Sequence, residues 1–540
     1  MDSSPDRCRV KSQNSNFHYK SYLLLVLCVP TVSISMSTSD QKTFDLLCRF
    51  VRETALLQST FSLLGWDEQT GMPTAAGEYR GEQMAYLAGI IHRRRTDPQL
   101  GEWLSQLAGS SLCEQKHSVE ETIVRELKRQ FERQRKLPEN LVVELTRTAV
   151  RGQRDWQQAR QRSDFSIFLP GLKKIIELKR EEADAIGFSE CRYDALLDEY
   201  EPWETTKRIK SILDGLREEL VPLLQSINNA QASVSTDCLY RDFPIEAQNI
   251  AGTEVAELIG FDFKQGRLDT TVHPFCTEIG PYDTRITTRY DAHFLPTSLF
   301  GVLHESGHAI YEQGLDKNWY GLPAGETISL GIHESQSRIW ENQIGRSRAF
   351  WSGYFPRLKR LFPEALHDIS LDTWYRAINT VTPSPIRVEA DEVTYNLHIL
   401  IRFELEQMLL NDAVTIANLP DAWNDKYESY LGIRPKTDAE GVLQDIHWSG
   451  GAIGYFPTYA LGNLYSAQFY AKCNEDLGGL SGQIAEGQFD SFRDWLRENI
   501  HQCGQCYSAG ELVKRVTGEP LTHRYLIDYL KSKSAEVYQL

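Results

Sequence analysis

His304-Glu305-Ser306-Gly307-His308 sets two imidazoles four residues apart around a carboxylate. On a helix, positions i and i+4 stand one turn apart on the same face, so both rings reach one tetrahedral metal ion, and zinc suits such a set. Glu305 would take a proton from the water that the metal activates and return it to the leaving amine. Peptide hydrolysis is the chemistry this spacing points to. A catalytic zinc takes three protein ligands and keeps one position for water, which requires a further donor from a neighbouring helix. The next helical pattern, 328–344, offers His333, Glu334 and Glu341, and spacing alone does not choose among them.

The remaining candidates are concentrated in the same part of the chain. Eight of the thirteen histidines fall between His273 and His447, where even spreading would put about a third of them, so that segment holds the chemistry. His273, in His273-Pro274-Phe275, and His447, before Trp448, are candidates to hydrogen-bond the substrate carbonyl or its developing oxyanion. Tyr455 and Tyr459 follow shortly after, and a tyrosine hydroxyl donates to an oxyanion without carrying charge. For each of the four, a core packing role is the plainer alternative. His293, His367 and His398 lack such context and read as surface or packing residues.

Five motifs stand in order: Asp283-Thr284-Arg285-Ile286-Thr287, His304 to His308, His333-Glu334-Ser335-Gln336, Ile386-Arg387-Val388-Glu389-Ala390-Asp391, and Gly441-Val442-Leu443-Gln444-Asp445-Ile446-His447-Trp448. In this the chain resembles the carboxypeptidase Taq family of zinc metallocarboxypeptidases, with no departure at a motif position. The likeness runs from about Phe44, through Trp66-Asp67 and Tyr200-Glu201-Pro202, to near the C-terminus. The resemblance implies that Glu334 is the third zinc ligand, that peptides are the substrates and that the protein is a homodimer. Related helical zinc peptidases place tyrosines after a comparable histidine, which favours Tyr455 or Tyr459 as an oxyanion donor.

An enzyme that removes only the last residue must recognise a free α-carboxylate, for which arginine offers a two-pronged fork. Arg387, Arg285, Arg289 and Arg434 are the candidates. Arg387, inside the fourth motif, is preferred, and Arg285 is placed at the closed end of the groove, paired with Asp283 or Asp445. A dipeptidase or oligoendopeptidase could use the same site, and a helical binding protein retaining an idle metal is the alternative of another class. Cobalt or manganese could replace zinc in the same ligand set.

The elements needed to position these residues are overwhelmingly helical. Apolar residues recur at three- and four-residue steps in 44–64, 119–136, 141–160, 168–186, 205–227, 245–260 and 397–411. Pro296-Thr297-Ser298 predicts the start of the His304 helix with Thr297 or Ser298 as N-cap, and Gly314 predicts its stop. The alternation in 277–289 predicts one strand beside the cleft. The expected fold is therefore mainly α: one large helical unit over 41–540 with a deep central groove and a small sheet near the metal.

The chain has 540 residues and a formal net charge of −16, which argues against nucleic acid as partner and against long-range attraction of acidic peptides. Its ten cysteines are scattered, and Cys503-Gly504-Gln505-Cys506, the one close pair, reads as a surface helix–loop boundary. Residues 1–40 carry Arg7, Arg9, Lys11 and Lys20 before an apolar run from Tyr22 to Ile34, too short and too interrupted by Pro30 to span a bilayer. They read either as a signal peptide or as an extension upstream of a start at Met36; the resemblance, to a largely intracellular family, favours a cytoplasmic product.

Overall fold

The periodic segments form long helices. In the computed structural model, which describes residues 38–230 and 233–540, helices run over Thr38–Thr70, Val119–Lys136, Glu139–Arg162, Phe165–Ile186, Thr206–Asn228, Ile245–Ile259 and Thr394–Leu410. The signal-peptide or extension reading of the N-terminal segment lies outside the described residues up to residue 37. Side-chain caps fix several helix starts where the sequence supplies them: Ser118 accepts from Glu121 N, Asp164 from Ser166 N, and Thr205 from Arg208 N. Apolar residues from Trp156 to Tyr538 pack into one continuous core. A second cluster joins Phe44, Leu47, Leu104, Ile123 and Phe131 of the first helices to Leu322 and Ala324. No described helix is long and apolar enough to cross a membrane.

The single strand expected over 277–289 is instead a hairpin. Strand β1 (Gly266–Thr270) pairs in parallel with β3 (Asp283–Thr288), and β2 (Cys276–Gly280) pairs antiparallel to β3, giving the order β1-β3-β2. Pro281 and Tyr282, the latter at φ 68°, turn the chain between β2 and β3, which breaks the apparent run of alternation. β3 leads directly to the His304 helix, Pro296–Gly314, and packs along it.

That helix starts two or three residues earlier than the expected cap implies. Pro296 occupies its first turn after Leu295, and Ser298 donates to Gln248 Oε1 at 2.6 Å, so neither Thr297 nor Ser298 caps it. It ends at Gly314 as expected. The Glu334 helix, Leu330–Arg338, is capped by Ser329 and continues into a wider π turn over Ile339–Ile344, in which Gly345 N bonds back to Trp340 O. The Cys503–Cys506 segment is not a surface boundary: Cys503 is buried in a short turn that packs against 323–325, and both thiols are free.

Candidate active site

Two glycines let three helices meet at Glu334. A Cβ on Gly307 would lie 2.6 Å from Gln336 O, and one on Gly462, in helix Pro457–Asp476, would lie 2.4 Å from Glu334 Cγ. The close crossing brings His304 Nε2 to 3.2 Å from His308 Nε2 and puts Glu334 Oε2 at 3.6 and 3.4 Å from them. Ligands at about 2.0–2.2 Å from a tetrahedral ion are roughly 3.3–3.6 Å from one another, so the spacing fits one ion. Among the described residues these three form the one cluster of metal-binding type.

The neighbours of the trio hold the outer atoms of its side chains. Arg338 Nε donates to Glu334 Oε1 at 2.7 Å, while Oε2 accepts from Ser337 Oγ at 3.2 Å and faces the histidines. His304 Nδ1 lies 2.9 Å from Glu341 Oε2, which Arg338 also holds at 3.0 Å. His333 points elsewhere, to Glu312 at 2.8 Å, with its ring stacked 4.3 Å from that of His308. The spatial arrangement thus separates the three donors that spacing left open: Glu334 converges with the histidines, Glu341 supports one of them, and His333 packs behind the other.

The electrostatics favour a cation. Burial opposes ionisation of Glu334, yet Arg338, His304 and His308 outweigh it and hold its carboxyl well below the usual range. Burial disfavours a proton on His304, but Glu334 and Glu341 overcome it and draw one there. The same field draws a metal dication. His308, buried and beside His333, is pushed down to about 3 and so stays neutral, as a metal ligand must. Glu305 is 7% exposed and its carboxyl makes no hydrogen bond to a described residue; burial lifts it to about 7, which leaves it able both to take and to give a proton near neutrality.

A second cluster lies against the first. Arg387 is buried, donates from Nε to Asp445 Oδ1 at 2.9 Å and from Nη1 to the Tyr395 hydroxyl at 3.1 Å, and faces the Tyr459 ring at 5.1 Å. Tyr395 also lies under Arg338, 4.7 Å from its guanidinium carbon, and so connects the two clusters. His447 Nε2 is 3.2 Å from the Tyr459 hydroxyl, and the Tyr455 ring lies 5.3 Å from both the His447 and Tyr459 rings. Burial pushes His447 down to about 4, so the ring is neutral. Its segment is held by Glu406, which accepts from Trp448 Nε1 at 2.8 Å and Gly454 N at 3.1 Å.

Other candidates take different places. Arg285 makes a fork to Asp283 at 2.8 and 2.7 Å, not to Asp445, and lies 4.4 Å over Trp66, tying β3 to the first helix. His273 is exposed in the β1–β2 turn, outside the metal trio and the Arg387 cluster. Arg289 is exposed, and Arg434 pairs with Asp425 and Glu428 on the surface. His398 is fully buried and bonded to Tyr427, whereas His293 and His367 are exposed. Asp391 of the fourth motif accepts from Val393 N and Thr394 N at the entry to helix Thr394–Leu410.

Sequence reasoning missed Arg338, Tyr395 and Arg402. Arg338 had a signal, its position one turn after Glu334, and Arg402 had another, a cation inside the apolar stretch 399–403. Tyr395 had none.

Residues 47–534 match a family model described as the carboxypeptidase Taq (M32) metallopeptidase. Thermostable carboxypeptidase 1 of Thermus thermophilus is 46% identical over 91% of this chain and 98% of its own. Carboxypeptidase 1 of Bacillus subtilis is 39% identical over 94% of this chain and 100% of its own. Among solved structures, the M32 carboxypeptidase from Deinococcus radiodurans superposes with a TM-score of 0.90 at 38% identity, covering 92% of this chain and 100% of that one.

Proposed function

The chain belongs to the carboxypeptidase Taq (M32) metallopeptidase family and is a metallocarboxypeptidase, and on that premise we propose that His304, His308 and Glu334 bind a catalytic zinc and that Glu305 is the general base. The convergence of the three donor atoms within 4.8 Å carries this reading. Bound there, a zinc ion supplies Lewis acidity toward water and the scissile carbonyl. Glu305 takes the proton of the attacking water and delivers it to the leaving amine. His447 with Tyr455 or Tyr459 offers neutral donors to the oxyanion, and Arg387 binds the substrate's terminal carboxylate. Arg285 supports the groove through Asp283 and Trp66, and His273 is assigned to substrate binding at the exposed turn. A homodimer acting in the cytoplasm completes the proposal.

Glu305→Gln tests the core of it. This change removes a proton acceptor and no ligand, so turnover should fall to background while zinc stays near one per chain. His304→Ala, His308→Ala and Glu334→Ala should lose metal and activity together. Wild-type rates in Glu305→Gln, or full metal content in Glu334→Ala, would overturn the assignment.

A further inference from the structure

Arg387 does not stand alone with Asp445. Arg402, on helix Thr394–Leu410, is completely buried and reaches the same carboxylate from the other side: its Nε donates to Asp445 Oδ2 at 2.7 Å, and Nη2 is also 2.7 Å from that oxygen. Arg387 occupies Oδ1 through Nε at 2.9 Å and Nη2 at 2.8 Å. Arg402 Nη1 is taken by His398 O at 2.8 Å and the Tyr427 hydroxyl at 3.2 Å. The Phe456 ring faces both guanidiniums, 5.7 Å from one and 5.6 Å from the other. Among the described residues, no other carboxylate comes within 4.0 Å of either arginine. The two imidazoles facing the cluster, His398 and His447, are kept neutral by burial and by these cations. Two buried cations therefore share one anion.

We infer that Arg402 is a specificity-determining positioning residue: it neutralises Asp445 so that the charge of Arg387 is left for the free α-carboxylate of the peptide. The inference rests on the assignment of Arg387 to that carboxylate. Without Arg402, the Arg387–Asp445 pair would be neutral, and an incoming carboxylate would meet repulsion from Asp445 close to the attraction of Arg387. With Arg402, the cluster carries one net positive charge in a site walled by Tyr395, Phe456, Tyr459, Trp423 and Tyr427. A buried net charge is costly until a counter-ion arrives. A terminal carboxylate supplies the counter-ion, and a terminal amide does not.

The measurement is the ratio of kcat/KM for matched acid and amide peptides, a ratio taken on one enzyme preparation, so a partly unfolded fraction cancels. The parent should prefer the acid, and Arg387→Gln should abolish that preference. Arg402→Gln should lower it by at least about tenfold, mainly through KM for the acid, although Arg387 is untouched. Arg402→Lys, which retains the charge, should keep the preference. No acid preference in the parent, or an unchanged one in Arg387→Gln, would sink the assignment of Arg387 itself. A preference lost in Arg387→Gln but kept within twofold in Arg402→Gln would sink the role of Arg402 alone. If Arg402→Gln does not fold, Arg402→Lys decides: retained preference supports the inference, and lost preference overturns it.

Discussion

At His304 the two ring nitrogens have separate partners, Nε2 facing the other donors and Nδ1 facing Glu341. A carboxylate on the far nitrogen fixes the tautomer and the ring plane and makes the imidazole a better donor. Glu341 is itself ionised: burial pushes its pKa up, but Arg338 and His304 outweigh this and bring it down to about 2. Arg338 acts on both carboxylates at once, which ties up Glu334 Oε1 and keeps Glu341 aimed at His304. Glu341→Gln keeps the shape and removes the charge. Its zinc affinity, measured by chelator competition, should fall about 10- to 100-fold. An unchanged affinity would show that Glu341 only packs.

At the scale of elements, the site depends on how closely the His304 helix approaches the Glu334 helix, and Gly307 sets that distance. Alanine is intrinsically the better helix residue by about 1 kcal/mol. Here that gain loses, because the new methyl would meet the Gln336 carbonyl oxygen and Ser337 Cα, both 2.6 Å away and both backbone. Forcing such helices apart costs typically 1–3 kcal/mol. Gly307→Ala should therefore lower the melting temperature and weaken zinc binding together, as Glu334 backs away from the histidines. A stabilised variant with normal zinc affinity would contradict the crossing argument. This is also where sequence reading reached its limit. The His304–His308 spacing and the helix ends at Lys136, Ile186 and Gly314 were legible because periodicity encodes them locally, whereas Glu334 was singled out from His333 and Glu341 only by the family resemblance. The π turn that aims Glu341, the hairpin hidden in 277–289 and the choice of Asp283 over Asp445 as the partner of Arg285 depend on what packs alongside. Tyr395 joins the two clusters across residues far apart in sequence, Arg338 and Arg387, and no local pattern marks such a bridge.

For the molecule as a whole, the telling feature is that some of its carboxyls are buried without a cation. Glu201 is completely buried; burial is the largest influence on it and raises its pKa to about 8, against the opposing hydrogen bonds from Ser329 and from Gly331 N, at the start of the Glu334 helix. Its unfolded value is near the ordinary 4.5. The folded state thus binds more protons than the unfolded chain between those two values, so stability falls as pH rises. The contribution is complete below about 4.5 and is lost as pH climbs through about 8. Glu406, raised to about 7 by burial, adds to the same slope with the same sign. Each such group can contribute up to about 1.4 kcal/mol per pH unit, on the order of a few kcal/mol over the window. Glu201→Gln keeps a carbonyl oxygen to accept from Gly331 N but cannot ionise. Its melting temperature should match that of the parent near pH 5 and exceed it near pH 8.5, and the parent's downward slope between them should flatten. Parallel melting curves for parent and variant across that range would mean that Glu201 stays ionised when buried, against the balance argued from its surroundings.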